Sequence, residues 1–164
     1  MKIEQKYHSL IQEAQRRDLP DVEGILLCFK TLSLAAAIDR SCAALLALHG
    51  LSEGRFILLF LLDAASDGVA PNTLSRQAGV TRATVTGLLD GLERDKLIER
   101  HQDVNDRRAL CIRLTHKGKN VARAVFEQHS RWIASLYSNL SARERKQLVT
   151  LLEKVSGNIG DSAP

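Results

Sequence analysis

The sequence predicts a mostly α-helical fold with one small β-hairpin, and three observations carry that expectation. Long stretches without proline repeat their apolar residues at helical spacing, as Ile25, Phe29, Leu32, Ala36 and Ile38 do. A glycine, Gly79, separates a short helical pattern from a second in which Val85, Leu88, Leu89 and Leu92 follow i, i+3, i+4, i+7. After Leu97 the period changes to two, with Leu110, Ile112 and Leu114 alternating with Cys111 and Arg113 in a half-buried strand.

Each element has a local reason. The segment before Asp21 stands apart as an N-terminal extension. From Asp21 to about Leu48 the Ala- and Leu-rich chain reads as one long helix, closed by His49-Gly50 because glycine suits the residue just past a helix end. Ser52 caps a second helix to about Ala65, and its run "FILLFLL" is apolar on all sides, which predicts burial. "SDGVAP" interrupts the pattern, and Pro71 fits the first position of a new helix that carries Leu74 and Ala78 inward. Val80 is expected to pack in the turn after Gly79, and Thr81 to cap the following helix. "IERH" reads as the first hairpin strand. Thr115 opens a long helix to about Asn139, striped by Val121, Val125, Trp132, Leu136 and Leu140. Ser141 and Glu144 form a capping box for a last helix bearing Leu148, Leu151, Leu152, Val155 and Ile159.

Two helices joined by a glycine turn make a helix-turn-helix, and the hairpin that follows makes it winged. The fold is therefore read as a winged helix-turn-helix plus a helical dimerisation layer. Residues 1–50 and 116–164 supply the dimerisation helices, and residues 51–115 the winged unit. The apolar stripes on the first long helix and the two C-terminal helices exceed what one small winged helix can cover, so they predict a homodimer. A self-contained helical layer in a monomer is the other reading.

Composition narrows the function. The 164 residues are 45% apolar and carry a net charge of +4. Between Pro71 and Lys117 nine Arg and Lys face six Asp and Glu, so +3 of that charge sits in under a third of the chain. A local positive field suits a polyanionic partner without proving one. Cys28, Cys42 and Cys111 are odd in number and lack ligand-like spacing, which argues against a disulfide framework. The N-terminus has no apolar signal core, and "FILLFLL" is too short to span a bilayer, so a cytoplasmic protein without membrane contact is expected. No His-Glu-x-x-His, Gly-x-Ser-x-Gly or glycine-rich phosphate loop is present, so no enzyme activity and no cofactor are expected. His101, Cys111 and His116 lack the tight spacing of a metal site, and none is assigned. Seven scattered aromatics give no stacking platform for single strands, leaving duplex DNA as the natural nucleic-acid partner.

The second helix of a helix-turn-helix can enter a major groove. Its polar side carries Arg82, Ala83, Thr84, Thr86 and Gly87, small enough to let the backbone approach base edges. Arg82 could read guanine, the threonine hydroxyls bases or phosphates, and the Ala83 methyl a thymine methyl. Ser75 and Arg76 are placed at phosphates. The bland reading makes all of these solvated helix residues, because winged helices also serve as protein-interaction modules. The loop "DVNDRR" gains a role beside that helix. A wing lies over the adjacent minor groove, whose negative potential attracts inserted arginine. Asp106 could hold Arg107 or Arg108 in one rotamer, reducing the entropy lost on binding.

The stretch "GVTRATVTGLLDGLERDKLIERHQDVNDRRALCIRLTHKG" resembles the MarR family of winged-helix regulators. The wing pattern Asp-x-Arg, five residues, Leu-Thr is matched by Asp106, Arg108, Leu114 and Thr115, with Asp103 and Arg107 also fitting. The resemblance implies a homodimer with interleaved terminal helices, each winged unit reading half of a pseudo-palindromic operator. It further implies Arg108 in the minor groove and a small-molecule effector that releases the DNA, as for a repressor. Gly87 and Gly91 depart from the basic or polar residues common in relatives, which implies fewer phosphate contacts. Some family members sense oxidants through an N-terminal cysteine, so Cys28 is the redox candidate. Its apolar neighbours Leu26, Leu27 and Phe29 instead predict a buried, inert thiol. Cys42 is expected to be packing, and His8, His49 and His129 surface or helix-end residues. His49 and Arg55, near the second helix, are the polar candidates for effector contact, with helix-end solvation explaining both equally well.

Overall fold

The computed structural model describes residues 3–65, 67–102 and 110–161. Its order is α1 (Gln5–Arg16), α2 (Val22–Ala47), α3 (Glu53–Ala64), α4 (Pro71–Ala78), α5 (Arg82–Arg94), β1 (Ile98–Gln102), β2 (Leu110–Leu114), α6 (His116–Leu136) and α7 (Ala142–Asp161). The fold is mostly α with a small antiparallel hairpin, a winged helix-turn-helix attached to further helices.

The boundaries follow from capping. Ser52, Thr81 and Thr115 each sit in extended backbone and accept a hydrogen bond from the N–H three residues on, at Arg55, Thr84 and Gly118. Asp21 does the same for Gly24, from left-handed backbone. At the other ends Gly50 and Gly79 take the left-handed conformation, both at φ 66°. The capping box holds in both directions: Ser141 N–H donates to Glu144 Oε2 at 2.8 Å, and Glu144 N–H to Ser141 Oγ at 3.3 Å.

The core lies where α3, α4, α5, the hairpin and the start of α6 meet. Leu58 and Leu59 from α3, Leu74 from α4, Val85, Leu89 and Leu92 from α5, Ile98 and Ile112 from the strands and Ala122 and Val125 from α6 form one cluster. Each of these Val, Leu and Ile side chains contributes about 1.5–3 kcal/mol when removed from water. In the hairpin Ile98 pairs with Leu114 and Gln102 with Leu110. A third segment joins it, because Val69 and Ile112 exchange backbone hydrogen bonds of 2.9 Å on the far side of β2.

Several local expectations are corrected. The alternation of β2 is broken: Leu110 is exposed while Cys111 is buried. The chain at Asp67–Val69 covers that face, and the Cys111 thiol donates to the Asp67 carbonyl at 3.4 Å. Val80 is exposed rather than packed in the turn. The α3 run is not buried all round, since Phe60 stands at its edge and stacks on Phe126 at 4.9 Å. Helix α6 stops at Leu136, three residues before Asn139, where Ser135 turns its hydroxyl back to the Trp132 carbonyl.

The helices outside the winged unit leave much apolar surface uncovered. Helix α2 buries only Ser33 and Leu46, and Leu27, Leu32 and Leu34 are exposed. Helix α7 likewise exposes Leu151, Leu152, Val155 and Ile159. The N-terminal extension proves to be α1, laid along α2. Tyr7 stacks on Phe29 with centroids 4.5 Å apart, Ala14 is buried, and Glu4 pairs with Arg40 at 3.5 Å.

Candidate nucleic-acid interface

Helix α5 is two-sided because its sequence is. Val85, Leu89 and Leu92 point into the core, so Arg82, Ala83, Thr84, Thr86 and Gly87 are left together on the exposed side. A Cβ on Gly87 would meet nothing within 4 Å, so the surface there is open. The threonine hydroxyls are held by local bonds: Thr84 Oγ1 lies 2.8 Å from Thr81 Oγ1, and Thr86 Oγ1 donates to the Arg82 carbonyl at 3.0 Å. A hydroxyl so donated keeps its lone pairs to accept. Arg82 stands exposed in the first turn.

The turn before α5 is fixed from α4. Ser75 Oγ donates to the Val80 carbonyl at 2.7 Å, so this hydroxyl closes the turn rather than projecting freely, while Arg76 beside it is exposed. Asp106, Arg107 and Arg108 lie outside the described residues. Their place in the chain is bounded by Gln102 and Leu110, which face each other as register partners at the hairpin's outer end.

Electrostatics add residues that the sequence reading passed over. Arg100 of β1 bonds the Asp90 carboxylate and reaches Glu93 Oε2 at 3.3 Å. It thereby offsets the two acids on the outer half of α5, which would otherwise repel a polyanion, and ties wing to helix. A ten-residue separation between elements of different type left no periodic signal for that pair. Arg55, offered above as an effector contact, has its guanidinium engaged within the protein. It donates to the Gly50 carbonyl at 3.0 Å and the Gly91 carbonyl at 3.3 Å, and pairs with the Asp95 carboxylate. The hydrogen bond from Arg55 is the first cause holding the Asp95 carboxyl below its usual value, ahead of the nearby charges of Arg94 and Lys117. His49 is exposed, with Nε2 2.8 Å from Gln128 Oε1.

The cysteines differ from expectation. Cys28 is exposed, not buried, because no other helix described in this chain covers that side of α2. Cys42 is half-buried as packing requires, but its sulfur also lies 3.2 Å from His129 Nε2. Burial, then the charges of Glu53 and Asp39, push its thiol above the usual range. His129 is accordingly no surface residue: it is half-buried between Phe56 and Trp132, with ring centroids at 4.8 and 5.6 Å. His101 and Cys111 are register partners, yet His101 turns to Glu99, Cys111 to Asp67 and His116 to Asn120. No cluster of three or more His, Cys, Asp or Glu able to hold a metal occurs among the described residues.

The comparisons agree with this geometry. A family model described as MarR family matches residues 49–109. The HTH-type transcriptional repressor YetL of Bacillus subtilis (strain 168) is 32% identical over 148 residues, spanning 90% of this chain and 89% of YetL. The transcriptional repressor MprA of Escherichia coli (strain K12) is 30% identical over 143 residues, spanning 87% of this chain and 81% of MprA. Among solved structures, a Staphylococcus aureus MepR–DNA complex matches with a TM-score of 0.66 and 26% identity, over 80% of this chain and 96% of that one. With relatives this similar along nearly their whole length, and with the same winged helix-turn-helix, the chain belongs to the MarR family of winged-helix regulators.

Proposed function

We propose that this protein is a homodimeric repressor that reads double-stranded DNA and lets go of it when a small molecule binds. The carrying observation is the exposed face of α5, where Arg82, Ala83, Thr84, Thr86 and Gly87 stand together beside the wing. Small side chains on that face admit backbone close to base edges, and Arg82 supplies the bidentate donor suited to guanine. Arg76 serves the phosphates, and Ser75 contributes through the turn it closes. Asp106, Arg107 and Arg108 of the wing serve the flanking minor groove. The DNA-bound MepR structure supports a duplex as partner.

Two copies are needed to present two such faces to a pseudo-palindromic operator. The exposed Leu27, Leu32 and Leu34 of α2 and Leu151, Leu152, Val155 and Ile159 of α7 are the surfaces such a partner copy covers. The effector lodges where helical layer and winged unit meet, near His49. The chain divides accordingly into dimerisation helices at 1–50 and 116–164 and a DNA-binding unit at 51–115. Release by thiol oxidation is a second reading, favoured by the exposure of Cys28. A peroxide response abolished by Cys28→Ser would select it.

The test is fluorescence anisotropy on a duplex from the region flanking the protein's own gene, with wild type and Arg108→Ala at two salt concentrations. Tight, salt-dependent binding weakened by about 1–3 kcal/mol in the variant is expected. A wild type that binds neither this duplex nor any member of a random library would sink the duplex reading and turn attention to a protein partner.

A further inference from the structure

We propose that Arg55 is a positioning residue: from the first turn of α3 it fixes the C-terminal end of α5, so that the angle at which α5 meets DNA is set far from the bases. The inference rests on the duplex-reading function proposed above.

The Arg55 side chain is only 16% exposed, which removes the solvated-charge explanation. One guanidinium holds three groups from three places: the Gly50 carbonyl between α2 and α3, the Gly91 carbonyl within α5, and the Asp95 carboxylate at its end. That fork geometry is particular to arginine, and a lysine ammonium cannot reproduce it. A Cβ on Gly91 would lie 3.7 Å from Arg55 Nε, an ordinary contact distance, so the guanidinium passes close over the helix there.

Stability alone explains this poorly. A partly exposed ion pair contributes little to folding. Moreover, Arg55 Nε is the one buried side-chain nitrogen or oxygen without a hydrogen-bond partner among the described residues, and burying an unpaired donor costs free energy. Geometry is what the arrangement gains.

The end of α5 is also where the helical layer attaches. Lys117 Nζ donates to the Asp95 carbonyl at 3.0 Å, Thr115 Oγ1 to the Lys96 carbonyl at 2.8 Å, and Thr115 N–H to the Leu97 carbonyl at 3.1 Å. Asp95 is thus held by α3 through Arg55, and residues 95–97 by the start of α6 through Thr115 and Lys117. A shift between α3 and α6 therefore pulls on the end of α5, because both hold Asp95.

The test compares full-length wild type, Arg55→Lys and Asp95→Asn on two probes, a duplex enriched by wild type from a random library and a scrambled duplex of equal length. The expected result is at least about a tenfold fall in preference for the enriched duplex, with the salt slope unchanged because Arg55 touches no phosphate. An unchanged preference in a folded variant, or a slope lower by about one, would overturn the proposal. Hydrogen exchange without DNA gives an independent readout. The amides of Asp95, Lys96 and Leu97 should lose protection in Arg55→Lys while those of Val85 and Leu89 keep it, and unchanged protection would equally overturn it. A wild type that enriches no duplex defeats the duplex reading instead, and the exchange result still decides whether Arg55 holds the helix end.

Discussion

A methyl group on Gly118 would stand 1.9 Å from the Leu97 carbonyl oxygen, which no real Cβ tolerates. Backbone of α6 rests directly on backbone after α5, and only glycine permits it. Gly118→Ala should therefore destabilise by about 1–3 kcal/mol, the usual cost of overpacking a tight site. Urea unfolding checks this as a lowered midpoint at unchanged slope. Gly87 is the opposite case, with nothing within 4 Å of the position a Cβ would take. Gly87→Ala should stabilise the helix by about 0.5–1 kcal/mol, since alanine loses less freedom on folding. On the proposed function the same methyl intrudes between α5 and the groove, so affinity for the duplex should fall as the melting temperature rises. A rise in both would take Gly87 off the interface.

At the scale of elements, the end of α5 carries a pH dependence. The Asp95 carboxyl is held below its ordinary value of 3.8 by Arg55. A group whose folded value is depressed contributes fully above the unfolded value, and the contribution is lost as pH falls through the folded one. Asp95→Asn should therefore lower the unfolding midpoint only slightly at pH 7, and that small gap to wild type should narrow below pH 3.8. Equal gaps at both values would mean that the charge is not what links the two. The elements themselves were largely legible in the sequence, because caps such as Ser52, Thr81, Thr115 and Ser141 and the glycines at 50 and 79 leave marks within four residues. The side of α5 that faces outward was legible for the same reason, from the spacing of Val85, Leu89 and Leu92. Arg55 with Asp95, Arg100 with Asp90, Cys42 with His129 and Val69 with Ile112 were not. Each joins elements far apart in sequence, and no local periodicity records such a meeting. The exposure of Cys28 was misjudged for a related reason. An apolar neighbourhood in sequence becomes burial only if another surface arrives to cover it.

For the whole molecule that covering surface decides behaviour in solution. Leu152 is half exposed on α7, which buries little against its own chain. Leu152→Asp should halve the mass found by light scattering, from twice the 18.1 kDa chain to once, and abolish duplex binding with it. A wild type already at the single-chain mass would refute the dimer. Arg76→Ala should weaken binding to all sequences alike and reduce the salt slope by about one, whereas a loss confined to one sequence would contradict its place at a phosphate.

The bond from Arg100 to Asp90 ties strand β1 to α5. On the proposed function a dimer presents two such units from one mount, so the two halves of an operator should lie at one fixed phase along the duplex. Inserting a single base pair between them turns the second half by about a tenth of a helical revolution, since B-DNA repeats about every 10–10.5 base pairs. On the proposed function that rotation should weaken binding. For this regulator, the length of the spacer would be read as stringently as the letters on either side of it.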